Sequence, residues 1–280
     1  MHVRIERSVS AVIGAGLAGV AAALAPTASA AQDGDPATIG ARSDAAREAA
    51  PIVFCAGAAN MPMSQAGSPP GFDVEIAEAI AAELGRAARF EWLGPESDGV
   101  DHAVRQGRCD VALGVLATAG PMVGQPVLDG LALTRPYYRA GYRIVRRPDA
   151  DPLPTLEHAG DERIAVEGES VATFTLRQRG RRVYVLFDHA AVLEAVADGR
   201  VRYGYLWGPL AAWRALDRDD VVLAREFEPV DRWSFALAVR DDDRALRRTL
   251  DRAIARLCAN GTIDRILGRY GLPPLSASLR

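Results

Sequence analysis

The chain has 280 residues, is 49% hydrophobic and 25% charged, and carries a formal net charge of −3. That length and balance suit a water-soluble protein of one large or two small domains. A nucleic-acid binder would show a basic excess, which is absent, and past Ala30 no apolar run is long enough to span a bilayer.

In chain order, the first feature is a basic start, Arg4 and Arg7, followed by an uncharged run rich in Ala, Val and Gly from Val9 to Ala25. Pro26 breaks the run, and Ala28, Ser29 and Ala30 supply a small-x-small exit. Together these are the parts of a secretory signal peptide over 1–30, cleaved after Ala30, which directs the chain to the periplasm. Within the run, Gly14, Gly16 and Gly19 have the spacing of a dinucleotide-binding turn. Such a turn needs a strand before it, a helix after it and an acidic residue about 20 positions on. Pro26 would cut that helix short, and Asp33 and Asp35 sit where no strand can be read, so the export reading takes precedence. Residues 31–50, rich in Ala, Asp and Arg, read as a disordered leader.

The packed chain is expected to begin near Pro51. Ile52 to Ala56 reads as a short buried strand. Gly71 to Gly85 reads as a helix: Phe72, Ile76, Ile80 and Leu84 recur every four residues, Asp73 and Glu75 suit the positive N-terminus, and Gly85 ends it. Arg89 to Leu93 is a second strand, 98–108 a weaker helix, and Cys109 to Val115 a third strand. After a long extended stretch from Tyr137 to Val145, a similar unit begins. Its strands run from Arg163 to Val166, Val183 to Phe187 and Tyr203 to Trp207. Its helices start at Ser170, Asp188 and Pro209, all residues suited to a helix start. The end is helical, with one stripe of Leu246, Leu250, Ala253, Ile254 and Leu257 and another of Ile263, Ile266, Leu267 and Tyr270. Alternating strands and helices predict parallel sheets covered on both faces.

Three of these segments carry a family resemblance. The helix from Gly71 to Gly85 resembles the first helix of type II periplasmic solute-binding proteins of the amino-acid-binding group, the extracellular solute-binding proteins of family 3. Pro136, Tyr137 and Tyr138 resemble the "PYY" before their crossover, and Ala259 to Gly271 resembles their terminal helix. A narrower likeness, to the quinoprotein-dehydrogenase-associated members (MxaJ/XoxJ type), lies in Val53 to Ala56, Asn60 to Ser64, Cys109 to Gly114, Leu133 to Arg139 and Leu206 to Trp213.

The resemblance implies an α/β fold of two lobes, each a mostly parallel sheet flanked by helices, joined by two crossover strands. Lobe 1 would be 51–142 plus 233–280, and lobe 2 would be 143–232. It also implies a non-enzymatic accessory protein whose partner is a periplasmic PQQ-dependent alcohol dehydrogenase or its cytochrome. The alternative is a receptor that hands a small polar solute to an ABC permease. No cofactor, metal or nucleic acid is expected.

Amino-acid binders of the group carry Asp near the Trp-Gly-Pro segment to hold the ligand ammonium; here Trp207 and Gly208 stand there, and Arg202 takes the place of another common Asp. They also place an Arg after the third strand to clamp the ligand carboxylate, and residues 115–130 contain none.

In a sheet of this class the first and third strands are neighbours, so a Cys55–Cys109 disulfide is feasible; two buried thiols are the alternative. Cys258 reads as an inert buried thiol. The ligand-cleft candidates are Asn60, Met63, Ser64, Leu116, Tyr137, Glu169, Ser170 and Trp207. Each has a plainer reading: a turn for the first three, hinge packing for Tyr137, helix capping for Glu169 and Ser170, and core packing for Trp207. No catalytic set emerges; Glu169 would be the acid if the scaffold were an enzyme.

Overall fold

The computed structural model describes residues 50–117, 129–224 and 232–274, so the export signal and most of the leader lie outside the described residues. Ile52–Gly57 (β1) is almost wholly buried, and after a small hairpin of Ala59–Asn60 (β2) and Ser64–Gln65 (β3) the chain enters helix α1, Phe72–Glu83. Gly71 precedes the helix at φ 98, and a Cβ there would lie 2.3 Å from the Met63 carbonyl oxygen, so backbone passes where any side chain would stand. Phe72, Ile76 and Ile80 form the buried face of α1.

Ala88–Leu93 (β4), Val100–Arg105 (α2) and Val111–Ala117 (β5) complete the first unit. Leu131–Leu133 (β6) then leads to the nine-residue strand Tyr138–Arg146 (β7), and a 3₁₀ turn at Leu156–Ala159 precedes the second unit. That unit runs Ile164–Glu167 (β8), Val171–Gln178 (α3), Val183–Leu186 (β9), His189–Ala197 (α4), Tyr203–Trp207 (β10) and Gly208–Arg214 (α5). Ser170 and Asp188 each accept a backbone N–H at the start of α3 and α4, from Thr173 and Ala191. Val222–Leu223 (β11) and Arg232–Arg240 (β12) follow, then α6, Arg244–Ala259, and α7, Thr262–Arg269.

The strands join in the order β4-β1-β5-β12-β7-β10-β8-β9. The triplets β4-β1-β5 and β10-β8-β9 are parallel, while β12 and β7 run antiparallel to each other and to the strands beside them. These two long strands cross between the units. Phe72, Tyr138, Phe235, Ile254 and Tyr270 anchor the largest core, which packs α1, α6 and α7 against the first unit. Two further cores sandwich the second unit: one holds Ile164, Leu176 and Tyr205, the other Val192, Val196 and Leu206.

The expected strands and helices occur within a few residues of the expected bounds. The β12 strand is an addition. Trp233, Phe235, Leu237 and Val239 alternate along it, and that period of two is the signal that identifies it.

Candidate functional site

In an open parallel sheet, ligands meet the loops at the carboxyl ends of the strands. At the end of β1, Asn60 is exposed and its carbonyl accepts the Met63 N–H at 2.9 Å. Met63 is half-buried against the large core and Ser64 is buried. The carbonyls of Pro62 and Met63 accept the first N–H groups of α1, from Phe72 at 2.9 Å and Asp73 at 3.0 Å. The Gly71 N–H meets the Tyr270 hydroxyl at 3.1 Å. The start of α1 is therefore satisfied from within the protein.

Leu116, near the end of β5, is half-buried and registers with Phe235. Residues 118–128, most of the segment whose lack of Arg distinguishes the sequence, lie outside the described residues.

Tyr137 is fully buried. Its hydroxyl donates to Asp73 Oδ1 at 2.6 Å and is also hydrogen-bonded to the Gly114 backbone. Gly114 sits in β5 at φ 63, and a Cβ there would lie 2.5 Å from the other Asp73 oxygen. Burial raises the Asp73 carboxyl to about 7, although the Tyr137 hydrogen bond works against the rise. Burial pushes the Tyr137 phenol well above its ordinary value, helped by the adjacent carboxylate. Asp73 thus does more than complement a helix end: it is a buried acid under the crossover.

At the end of β8, Glu169 is exposed with φ 54, a left-handed backbone rare outside glycine. The Ser170 hydroxyl donates to the Glu167 carbonyl at 2.7 Å and accepts the Thr173 N–H at 3.2 Å, so it works as a helix cap. The Glu167 carboxylate reaches His189 Nδ1 at 2.9 Å. His189 is buried, its Nε2 has no hydrogen-bond partner among the described residues, and burial lowers its pKa against the pull of Glu167.

Trp207 closes β10. Its ring lies 5.2 Å from Trp233, 5.7 Å from Tyr142 and 6.3 Å from Phe235, and Tyr142 lies 5.9 Å from Trp233. The half-buried indole packs against the cores of both units. The two crossover strands and β10 therefore meet in one aromatic cluster, of which the sequence motifs flagged only Trp207. Arg202 is elsewhere: it lies before β10, at the amino end, paired with Asp151 and with Glu162 at 3.8 Å. It has no part in the carboxyl-end site.

Cys55 and Cys109 form a disulfide with Cα atoms 5.7 Å apart, tying β1 to the entry of β5. Cys258 is a free, half-buried thiol whose pKa burial raises. Among the described residues no three His, Cys, Asp or Glu side chains are grouped to hold a metal ion, and no helix is long and apolar enough to cross a membrane.

The family profile of bacterial extracellular solute-binding proteins, family 3, matches residues 52–273. The chain is 27% identical to Protein MoxJ of Methylorubrum extorquens over 94% of each chain, and 27% identical to Protein MoxJ of Paracoccus denitrificans over 81% of this chain and 90% of that one. Among solved structures, the L-cystine solute receptor of Neisseria gonorrhoeae in its unliganded open conformation superposes with a TM-score of 0.68 at 16% identity, covering 81% of this chain and 95% of the receptor. That likeness is one of fold: two lobes of the type II periplasmic binding protein architecture.

Proposed function

Because the chain belongs to the bacterial extracellular solute-binding proteins of family 3, we propose that it serves as a periplasmic accessory protein of a PQQ-dependent alcohol dehydrogenase, binding rather than catalysing. In this reading 1–30 is removed on export, 51–142 with 233–280 makes one lobe and 143–232 the other. The partner is the dehydrogenase or its cytochrome, as the resemblance to MxaJ/XoxJ-type proteins implies.

The observation that carries the reading is the aromatic cluster around Trp207. Where an amino-acid receptor of the group presents a carboxylate to a ligand ammonium, this chain presents an indole braced by Trp233, Tyr142 and Phe235. An aromatic wall favours apolar or planar groups and offers a zwitterion no ion pair. Similarity to MoxJ proteins along nearly the whole chain supports the same reading.

Deleting the gene should lower quinoprotein alcohol dehydrogenase activity in cell extracts, with recovery on complementation; undiminished activity in the deletion strain overturns the reading. The alternative, a receptor feeding an ABC permease, draws on the fold shared with the L-cystine receptor. It requires a small polar ligand that stabilises the protein, by about 2.7 kcal/mol at a hundredfold excess over Kd. A broad thermal-shift panel distinguishes the two.

A further inference from the structure

Glu167 anchors the loop that ends β8 through both its carbonyl and its carboxylate. The carbonyl accepts the Ser170 hydroxyl at 2.7 Å and the Thr173 hydroxyl at 2.6 Å, and the carboxylate meets His189 Nδ1 at 2.9 Å. The Gly168 N–H donates to the Leu186 carbonyl at 2.8 Å. Among these anchors Glu169 is exposed and keeps φ 54. A residue with a side chain holds that backbone only where its surroundings impose it.

The anchor on the carboxylate is an enclosed imidazole. His189 opens α4 and is 5% exposed, and its Nε2 has no hydrogen-bond partner among the described residues. A carboxylate only accepts, so in the neutral ring Nδ1 carries the proton and Nε2 is a bare acceptor. A second proton would go to Nε2. It would place an N–H and a full charge where nothing accepts them.

The surrounding charges do not offset this. Burial opposes the imidazolium most; Glu167 from β8 favours it, Arg214 at the end of α5 opposes it, and Asp188 at the cap of α4 favours it. The strands β9 and β10 bring tyrosines and no charged side chain. On β7, Arg143 donates to the Ala224 carbonyl, and Arg146 to those of Arg147, Pro148 and Ala150.

We propose that His189 is an acid-sensitive latch on the loop from Glu167 to Ser170. When the ring takes its second proton it leaves its enclosed position for water. The Glu167 carboxylate then loses its partner, and Glu169 relaxes from its left-handed backbone. The carboxyl-end site of the second unit, where Glu169 and Ser170 stand, is thus ordered in neutral medium and opens in acid. The latch goes beyond the accessory reading and does not depend on what that site binds.

Its test is amide hydrogen exchange of the full protein by NMR at pH 7.5 and pH 5.5, each rate divided by the intrinsic rate of that amide at the same pH. The N–H groups of Gly168, Thr173 and Phe174, bonded at the end of β8 and in the first turn of α3, report the loop. The amides of β7 and β10 report the unit as a whole. With the released ring titrating at its ordinary 6.5 and the enclosed ring taking no proton, opening rises about tenfold over this step. Protection at the three loop amides should therefore fall by up to that factor, with β7 and β10 unchanged. His189→Asn and His189→Gln cannot titrate and should abolish the fall. Asp73→Asn, whose acid lies in the other unit, should keep it; circular dichroism verifies the folds. Equal loop protection at the two pH values in the wild type overturns the latch. So does a fall that persists in either His189 variant, or that vanishes in Asp73→Asn. A fall shared equally by β7 and β10 also overturns it, because the whole unit would then be opening.

Discussion

Among the described residues each unit of the sheet holds a hydrogen-bonded ionisable pair with an enclosed member, Asp73 with Tyr137 in the first and His189 with Glu167 in the second. In the first unit Asp73 is enclosed with a neutral phenol, so its own carboxyl bears the desolvation and rises to about 7. In the second unit Glu167 keeps contact with solvent while His189 is enclosed, so the imidazole bears the desolvation and its pKa falls. Similar acceptor geometry therefore gives opposite responses to pH. Which group loses water decides the sign, more than the presence of a hydrogen bond.

The comparison is broken most strongly at the disulfide, since Cys55–Cys109 braces the first unit and the second has no counterpart among the described residues. Its 54-residue separation predicts a stabilisation of about 4 kcal/mol through restriction of the unfolded chain. Cys55→Ala with Cys109→Ala should lower the urea midpoint accordingly and make the first unit the earlier to open, as read by hydrogen exchange along β1 and β5. Equal protection in both units of the variant would mean that they unfold as one.

The next largest effect concerns Asp73. Its folded pKa, about 7, lies above the ordinary 3.8. Between those values the folded state holds a proton that the unfolded state has released, so unfolding free energy falls as pH rises through this window and is level above it. The fall should be on the order of 4 kcal/mol at most. Asp73→Asn keeps an oxygen for Tyr137 and removes the ionisation, so the fall with rising pH between 3.8 and about 7 should disappear, leaving the decline toward acid that His189 contributes. An unchanged slope in that variant would place the titration elsewhere.

These contrasts also mark how far the residues could be read unaided. Four-residue spacing in α1, the stripes of α6 and α7, and the caps at Ser170 and Asp188 are local signals, and each element appears where they put it. The partners are long-range. Asp73 reads as a helix-dipole residue because nothing local shows that Tyr137, 64 positions on, will cover it. His189 looks like one of four scattered histidines until α4 docks beside the end of β8. Trp207 stands out by motif, but Trp233, Tyr142 and Phe235 join it only because β7 and β12 cross between the units. Arg202, which stands in the sequence where the amino-acid binders carry another common Asp, lies at the opposite end of β10 from Trp207.

The smallest effect, and the sharpest test of the opposed signs, lies at His189. Desolvation lowers its pKa, Glu167 and Asp188 resist the shift, and Arg214 adds to it. With the folded value below the unfolded 6.5, the unfolded chain binds the extra proton first as pH falls. Stability should therefore be unaffected by this group above about 6.5 and should decline below it. His189→Asn can keep an N–H donor where Nδ1 stands, and it cannot titrate. Its unfolding free energy should match the parent's pH slope above neutrality and, below about 6.5, lose the decline that His189 contributes, leaving the opposite slope of Asp73. Combined with Asp73→Asn, it should remove both slopes, and their contributions should add because the groups lie in separate cores. An acid side unchanged from the parent in His189→Asn would show that folding does not lower the pKa of this imidazole, and the contrast between the two pairs would then fail.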